Sequence, residues 1–136
     1  MDESQLKEWI KQNERLKLHP YLDTTGHVTI GWGRNLDNGI SKDEAQLMFE
    51  NDFNRTLAEL KQYSWYLTSP LNVRYTLINM NFNLGIEKLL TFKKMIHALI
   101  NKNYKEAAKE ALNSTWAKQV GERANQIADM MSTEDE

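Results

Sequence analysis

The chain contains no cysteine. That absence removes disulfides, thiolate metal sites and thiol nucleophiles, and it leaves the redox compartment open. Long apolar runs are missing too. None approaches the roughly 20 residues that a membrane span requires. The N-terminus, Met1-Asp2-Glu3-Ser4-Gln5, is polar and acidic, so neither a signal peptide nor an anchor is expected. An excess of one charge is also lacking. The formal net charge is -2, and three acids, Glu134, Asp135 and Glu136, close the chain; residues 1–133 carry 17 positive and 16 negative charges. Such a balance gives no reason to expect a nucleic-acid partner. His19, His27 and His97 are scattered without ligand spacing, so no metal and no cofactor are expected. There is no internal repeat and no low-complexity segment.

What remains is ordinary globular material. A length of 136 residues, 40% hydrophobic and 26% charged, is enough for one folded domain. Asp2 and Gln5 form a capping box, after which Leu6, Trp9 and Ile10 share one helical face. Continuing that face by four residues places Glu14 near the helix end, at the edge of the apolar stripe. From Lys17 to Leu36 the helical period disappears. Asp23-Thr24-Thr25-Gly26 reads as a turn with Gly26 at positive φ, and His27 to Trp32 alternates. The expected hairpin points Val28, Ile30 and Trp32 one way, and Thr29, Gly31 and Gly33 the other. Asp37-Asn38-Gly39 supplies a further turn.

Ser41 and Glu44 form a second capping box before a helix of about five turns. Ser69-Pro70 opens a helix whose apolar residues cover more than one face, as expected of a buried centre, and Gly85 ends it. Three shorter amphipathic segments follow, the last from Gly121 to Met131, before a tail from Ser132 expected to fray. The lysines between Lys102 and Lys109 read as a solvated helix face. Trp9, Trp32, Trp65 and Trp116 could each stack on a sugar. Helical settings assign Trp9 and Trp116 to a core, and Trp32, between two glycines, stays open to either role.

Glu14, Asp23 and Thr29 lie on three successive local elements joined by short connections, so their side chains can converge. Two carboxyls in unlike settings suit glycosidic hydrolysis, in which an acid protonates the leaving oxygen and a second group places water or steadies the oxocarbenium ion. Glu14, beside an apolar stripe, suits the acid, and Asp23, in a polar turn, suits the group that stays ionised. Spacing alone does not separate this constellation from a surface helix residue and a plain turn residue, since structural acids far outnumber catalytic ones.

The run Asn13-Glu14-Arg15-Leu16-Lys17-Leu18, then Tyr21-Leu22-Asp23-Thr24, Gly26 and Thr29-Ile30-Gly31-Trp32-Gly33, resembles the signature of the phage T4-type lysozymes, glycoside hydrolase family 24. Leu77-Ile78-Asn79-Met80, Phe82-Asn83-Leu84-Gly85, Glu106-Ala107-Ala108, and Trp116 with Gln119, Arg123 and Ala124 are similar to that family's helical part. The resemblance implies a mainly α (α+β), two-lobed, lysozyme-like single domain. A β-hairpin lobe would occupy residues 12–40 and a connecting helix 41–62, with a helical lobe over 63–131 packed with the N-terminal helix.

It further implies hydrolysis of the β-1,4 bond between N-acetylmuramic acid and N-acetylglucosamine, by a monomer acting on peptidoglycan strands in a cleft between the lobes. Glu14 would be the general acid, Asp23 would act from the opposite side of the sugar, and Thr29 would hold the attacking water. Arg123 matches the arginine that supports the acid. Phe82 and Asn83 match residues that face the glycan, with Trp32 and Arg34 as further candidate substrate contacts. An endolysin of this kind waits in the host cytoplasm until a separate, holin-like pore releases it to the wall, where it lyses the host.

The chain departs from the family pattern in places. Asn83 replaces a usual glutamine, Arg34 a usual histidine and Gly121 a common proline, and the segment between Leu36 and Ser41 is short. Arg34 is therefore expected to seek another acid. Without the basic charge frequent in the family, activity would lean on groove contacts. The alternatives are a non-catalytic lysozyme-like glycan-binding or phage-particle module, which the joint presence of Glu14, Asp23 and Thr29 disfavours, and an enzyme for a related polymer such as chitin.

Overall fold

The computed structural model describes residues 1–133. The terminal acids, and with them most of the tail expected to fray, lie outside the described residues. The protein is mainly helical, with a three-stranded antiparallel sheet near its N-terminus. It divides into two compact units, Met1–Leu47 and a second starting at Met48.

The first unit opens with helix α1 (Glu3–Glu14), whose capping box is formed as read: Asp2 accepts from the Gln5 amide and Gln5 accepts from the Asp2 amide, both at 2.8 Å. Strands β1 (Lys17–Leu22), β2 (Val28–Gly31) and β3 (Arg34–Asn35) follow in that order across the sheet. The Asp23–Gly26 turn forms with Gly26 at φ +84°. Three details differ from the sequence reading. A third strand extends the hairpin, with Thr29 opposite Asn35 and Ile30 opposite Arg34. Trp32 does not continue β2, because Gly31 and Gly33, at φ +71° and +76°, turn the chain there. On a point that the alternation left open, the more covered face of β2 is that of Thr29, which is 2% exposed, while on the other face Ile30 is half-buried and Val28 and Trp32 are open to solvent. Trp9, expected in a core, is 53% exposed, since this small unit forms no apolar core of its own.

Helix α2 (Lys42–Leu60) starts on its reciprocal Ser41/Glu44 cap and runs on into the second unit. That unit adds α3 (Ser64–Leu67), α4 (Leu71–Leu84), α5 (Ile86–Leu89), α6 (Lys93–Ile100), α7 (Tyr104–Leu112), α8 (Thr115–Val120) and α9 (Glu122–Ser132). The four-residue helices α3 and α5, and α8, are too short to show an apolar period, so the sequence reading does not contain them. Pro70 caps α4 from outside rather than sitting in its first turn. As expected, α4 is central: Val73, Leu77 and Met80 are fully buried, and Gly85 closes the helix at φ +84°. Alanines 107, 108 and 111 on α7, and 124 and 128 on α9, let those helices pack closely, with Ile127 and Met131 filling the layer beneath α4. Trp116 joins this core, as its helical setting suggests. Among the described residues no helix is long and apolar enough to cross a membrane.

Leu77 has no exposed surface. Truncation to alanine is expected to cost about 2–5 kcal/mol through lost burial and an unfilled cavity, read as a lowered urea midpoint at unchanged slope. A cost below about 1 kcal/mol would mean that α4 is not the centre of the core.

Candidate active site

Glu14 is the last residue of α1. The helix stops because Arg15 leaves helical space at φ 60°, ψ 139°, its amide still reaching the Lys11 carbonyl at 2.8 Å. A non-glycine residue at positive φ is strained, and this one sits directly after the candidate acid. Within its own unit Glu14 is solvent-exposed, not enclosed in the apolar setting that the helix period suggests. Its carboxyl group lies against the β2–β3 turn, where a Cβ on Gly33 would collide with it, the carboxyl carbon being 2.8 Å away. The same turn carries Trp32, half-exposed, with the Lys11 ammonium of α1 at 4.6 Å from the ring centroid.

Asp23 and Thr29 are brought together by one residue between them. Asp23 Oδ1 accepts from the Thr25 amide, the Thr25 hydroxyl and the His27 amide, each at 2.9 Å. All three bonds fall on Oδ1, and Oδ2 takes none of them. The His27 amide bond, then the Thr25 hydroxyl, holds the Asp23 carboxyl below the ordinary carboxylate range, so it stays ionised. The His27 carbonyl in turn accepts from the Asp23 amide and from Thr29 Oγ1, both at 2.9 Å. A hydroxyl has one proton to donate, so Thr29 can only accept from a further partner.

The His27 imidazole is not idle: Nδ1 lies 2.8 Å from Asp37 Oδ2. Arg34 finds the substitute acid expected of it, its Nη1 lying 2.5 Å from Glu44 Oε2 in the first turn of α2. These exposed pairs set opposite pH limits. Arg34, with the Ser41 amide and hydroxyl, lowers the Glu44 pKa from 4.5 to about 2. Its contribution is complete above pH 4.5 and fades as pH falls towards 2. Asp37 raises the His27 pKa above 6.5, so that contribution is complete below pH 6.5 and fades as pH rises through the elevated value. Amide-exchange protection across β1–β3, corrected for intrinsic rates, is therefore expected to peak between pH 4.5 and 6.5. High salt should flatten the peak. Protection rising steadily to pH 9 would contradict it.

In the second unit, Arg123 is held by Asn79: Nε and Nη2 donate to Asn79 Oδ1 at 2.9 and 2.6 Å. Arg123 and Phe82 line one open apolar depression of about 510 Å³ with Phe49, Phe53, Tyr75 and Ile78. Phe82 packs on Phe49 at a centroid distance of 5.4 Å. Asn83, short as it is, accepts the Trp116 indole N–H at 2.9 Å. Among the described residues no group of three or more His, Asp or Glu side chains could hold a metal ion.

The structure thus joins Asp23 to Thr29, sets Glu14 on Gly33, and commits Arg34 to Glu44. His27, Asp37 and Gly33 are the residues that sequence reasoning missed. The usable signal was His27 itself, four residues after Asp23 and two before Thr29, across a tight turn.

The family model described as "Phage lysozyme" matches residues 11–130. Two proteins of Dictyostelium discoideum, "Probable T4-type lysozyme 1" and "Probable T4-type lysozyme 2", are each 29% identical over 161 aligned residues, spanning 96% of this chain and 95% of the relative. The "Pre-baseplate central spike protein Gp5" of Enterobacteria phage T4 is 23% identical over 159 aligned residues, spanning 94% of this chain but 28% of the spike protein. With the family match covering most of the chain, from residue 11 to residue 130, the chain belongs to the phage lysozyme family and is a glycosidase of that kind.

Proposed function

We propose that the protein hydrolyses the β-1,4 bond between N-acetylmuramic acid and N-acetylglucosamine in peptidoglycan. Glu14 gives its proton to the glycosidic oxygen as the C–O bond breaks. Asp23, ionised, steadies the positive charge that develops on the sugar ring and takes up the proton released by a water that is accepted by Thr29 and bonds to the anomeric carbon. Phe82 and Trp32 are proposed sugar contacts, with Asn83 and Arg34 as polar neighbours and Arg123 as support for the acid. The observation that carries this reading is the Asp23–His27–Thr29 network, which keeps one carboxylate charged and turns the threonine hydroxyl into an acceptor for water.

The test is loss of turbidity of outer-membrane-permeabilised bacteria, with the products identified by mass spectrometry. Muropeptides with reducing N-acetylmuramic acid ends are expected. Glycan binding without cleavage would instead make the protein a non-catalytic module, a reading favoured only by its likeness to part of a spike protein. Products from chitin alone would move the substrate. The endolysin role follows if expression lyses a host only together with a separate pore-forming protein. Lysis without the pore, or none with it, would remove that role.

A further inference from the structure

The geometry points to His27 as a positioning residue for this reaction, its side chain anchored on Asp37 so that its peptide groups hold Asp23 and Thr29 at a fixed spacing. The inference rests on the muramidase reading, and it concerns a residue whose side chain touches neither substrate nor the reacting atoms. His27 N–H donates to Asp23 Oδ1, and His27 C=O accepts from both the Asp23 amide and Thr29 Oγ1. One residue therefore orients both groups. Any side chain would leave those peptide groups in place, but only a donor at the right reach can also fix them from outside the turn. The imidazole does so through Asp37 Oδ2 at 2.8 Å. Asp37 is itself held, its amide donating to Asn35 Oδ1 at 2.8 Å, in the turn closed by Gly39 N–H on the Leu36 carbonyl at 2.9 Å. That turn is tied to β2 by the Leu36 amide on the Val28 carbonyl at 2.8 Å. The anchor thus stands on the sheet rather than on the loop that it steadies.

The charges that act on the imidazole are Asp23, from the turn before β2, and Asp37, from the turn after β3. Both favour the imidazolium, and the imidazolium in turn favours ionised Asp23. Deprotonation of His27 leaves a weaker, neutral bond to Asp37 and removes a positive charge beside Asp23. Turnover should fall on the alkaline side as His27 loses its proton, with binding little changed.

The experiment follows kcat and KM against pH on soluble peptidoglycan strands for the wild type, Asp37→Asn and His27→Gln, with the His27 titration read by NMR. Asp37→Asn should bring the His27 pKa back towards 6.5 and move the alkaline limb of kcat by the same amount. Its kcat should fall about tenfold at neutral pH with KM held, as misplacement of reacting groups by a fraction of an ångström predicts. His27→Gln should lose the part of the limb that follows the His27 titration, leaving only the fall that any general-acid mechanism shows as its acid gives up the proton. An alkaline limb at the same pH in all three proteins, or a His27 titration unmoved by Asp37→Asn, overturns the proposal. A wild type that cleaves no strands refutes the muramidase reading instead, and the NMR titration still decides whether the His27–Asp37 anchor exists.

Discussion

Glu14→Gln is expected to lower glycan hydrolysis by about 10²–10⁴-fold, the span that a positioned general acid contributes. Glutamine keeps the shape of the side chain and its place over Gly33 but has no proton to give to a leaving oxygen. Because Glu14 is exposed and takes part in no ion pair among the described residues, thermal stability should stay within about 0.5 kcal/mol of wild type. That separation of activity from stability makes the variant informative. Wild-type turnover by Glu14→Gln would remove Glu14 from the chemistry, whatever its family position.

The second large effect is expected at Gly33, where no side chain exists to react. Gly33→Ala meets two costs. Alanine at φ +76° is strained by about 1–2 kcal/mol, and its Cβ takes the space now filled by the Glu14 carboxyl. The carboxyl is the free end of a flexible side chain, so it will move and the backbone will not. Folding should therefore bear the strain alone, while the acid is displaced from where a leaving oxygen would meet it. A loss of about 10²-fold in kcat follows from such misplacement. Gly85→Ala is the control. Its φ of +84° also strains an alanine, but no atom lies within 4 Å of the added Cβ, so it should destabilise without the loss of turnover. Equal activity in the two variants would show that the carboxyl does not need its seat on Gly33.

Both capping boxes were legible because each is written within four residues, and so was the Asp23–Gly26 turn, with its glycine at positive φ. The candidate acid, carboxylate and threonine were legible as residue types in order, and their chemistry came from resemblance. Their environment was not legible. The bond from His27 to Asp37 spans ten positions, and the seat of Glu14 on Gly33 joins a helix end to a turn two strands later. Neither leaves a period or a local motif to read. Alternation in β2 was right in its spacing and silent about which face is covered. That depends on what packs there, and of the four β2 residues only Thr29 turned out to be fully buried. Arg34 lies between: its need for an acid could be read from the missing histidine, but Glu44 as that acid could not, since Glu44 already had a capping role.

The absence of cysteine has a last consequence, which concerns chemical ageing rather than folding. All sulfur in this chain is methionine, six residues in total. Met1, Met48 and Met130 are open to solvent, whereas Met80, Met95 and Met131 are sealed in the core around α4. Peroxide can convert the first three to sulfoxide while the fold stays closed, and they consume oxidant without disturbing packing. The second three become reachable only when the helical unit opens, and a sulfoxide there prevents it from closing well. Their rate of oxidation is therefore a clock for opening of the core, built into the protein and readable by mass without any label.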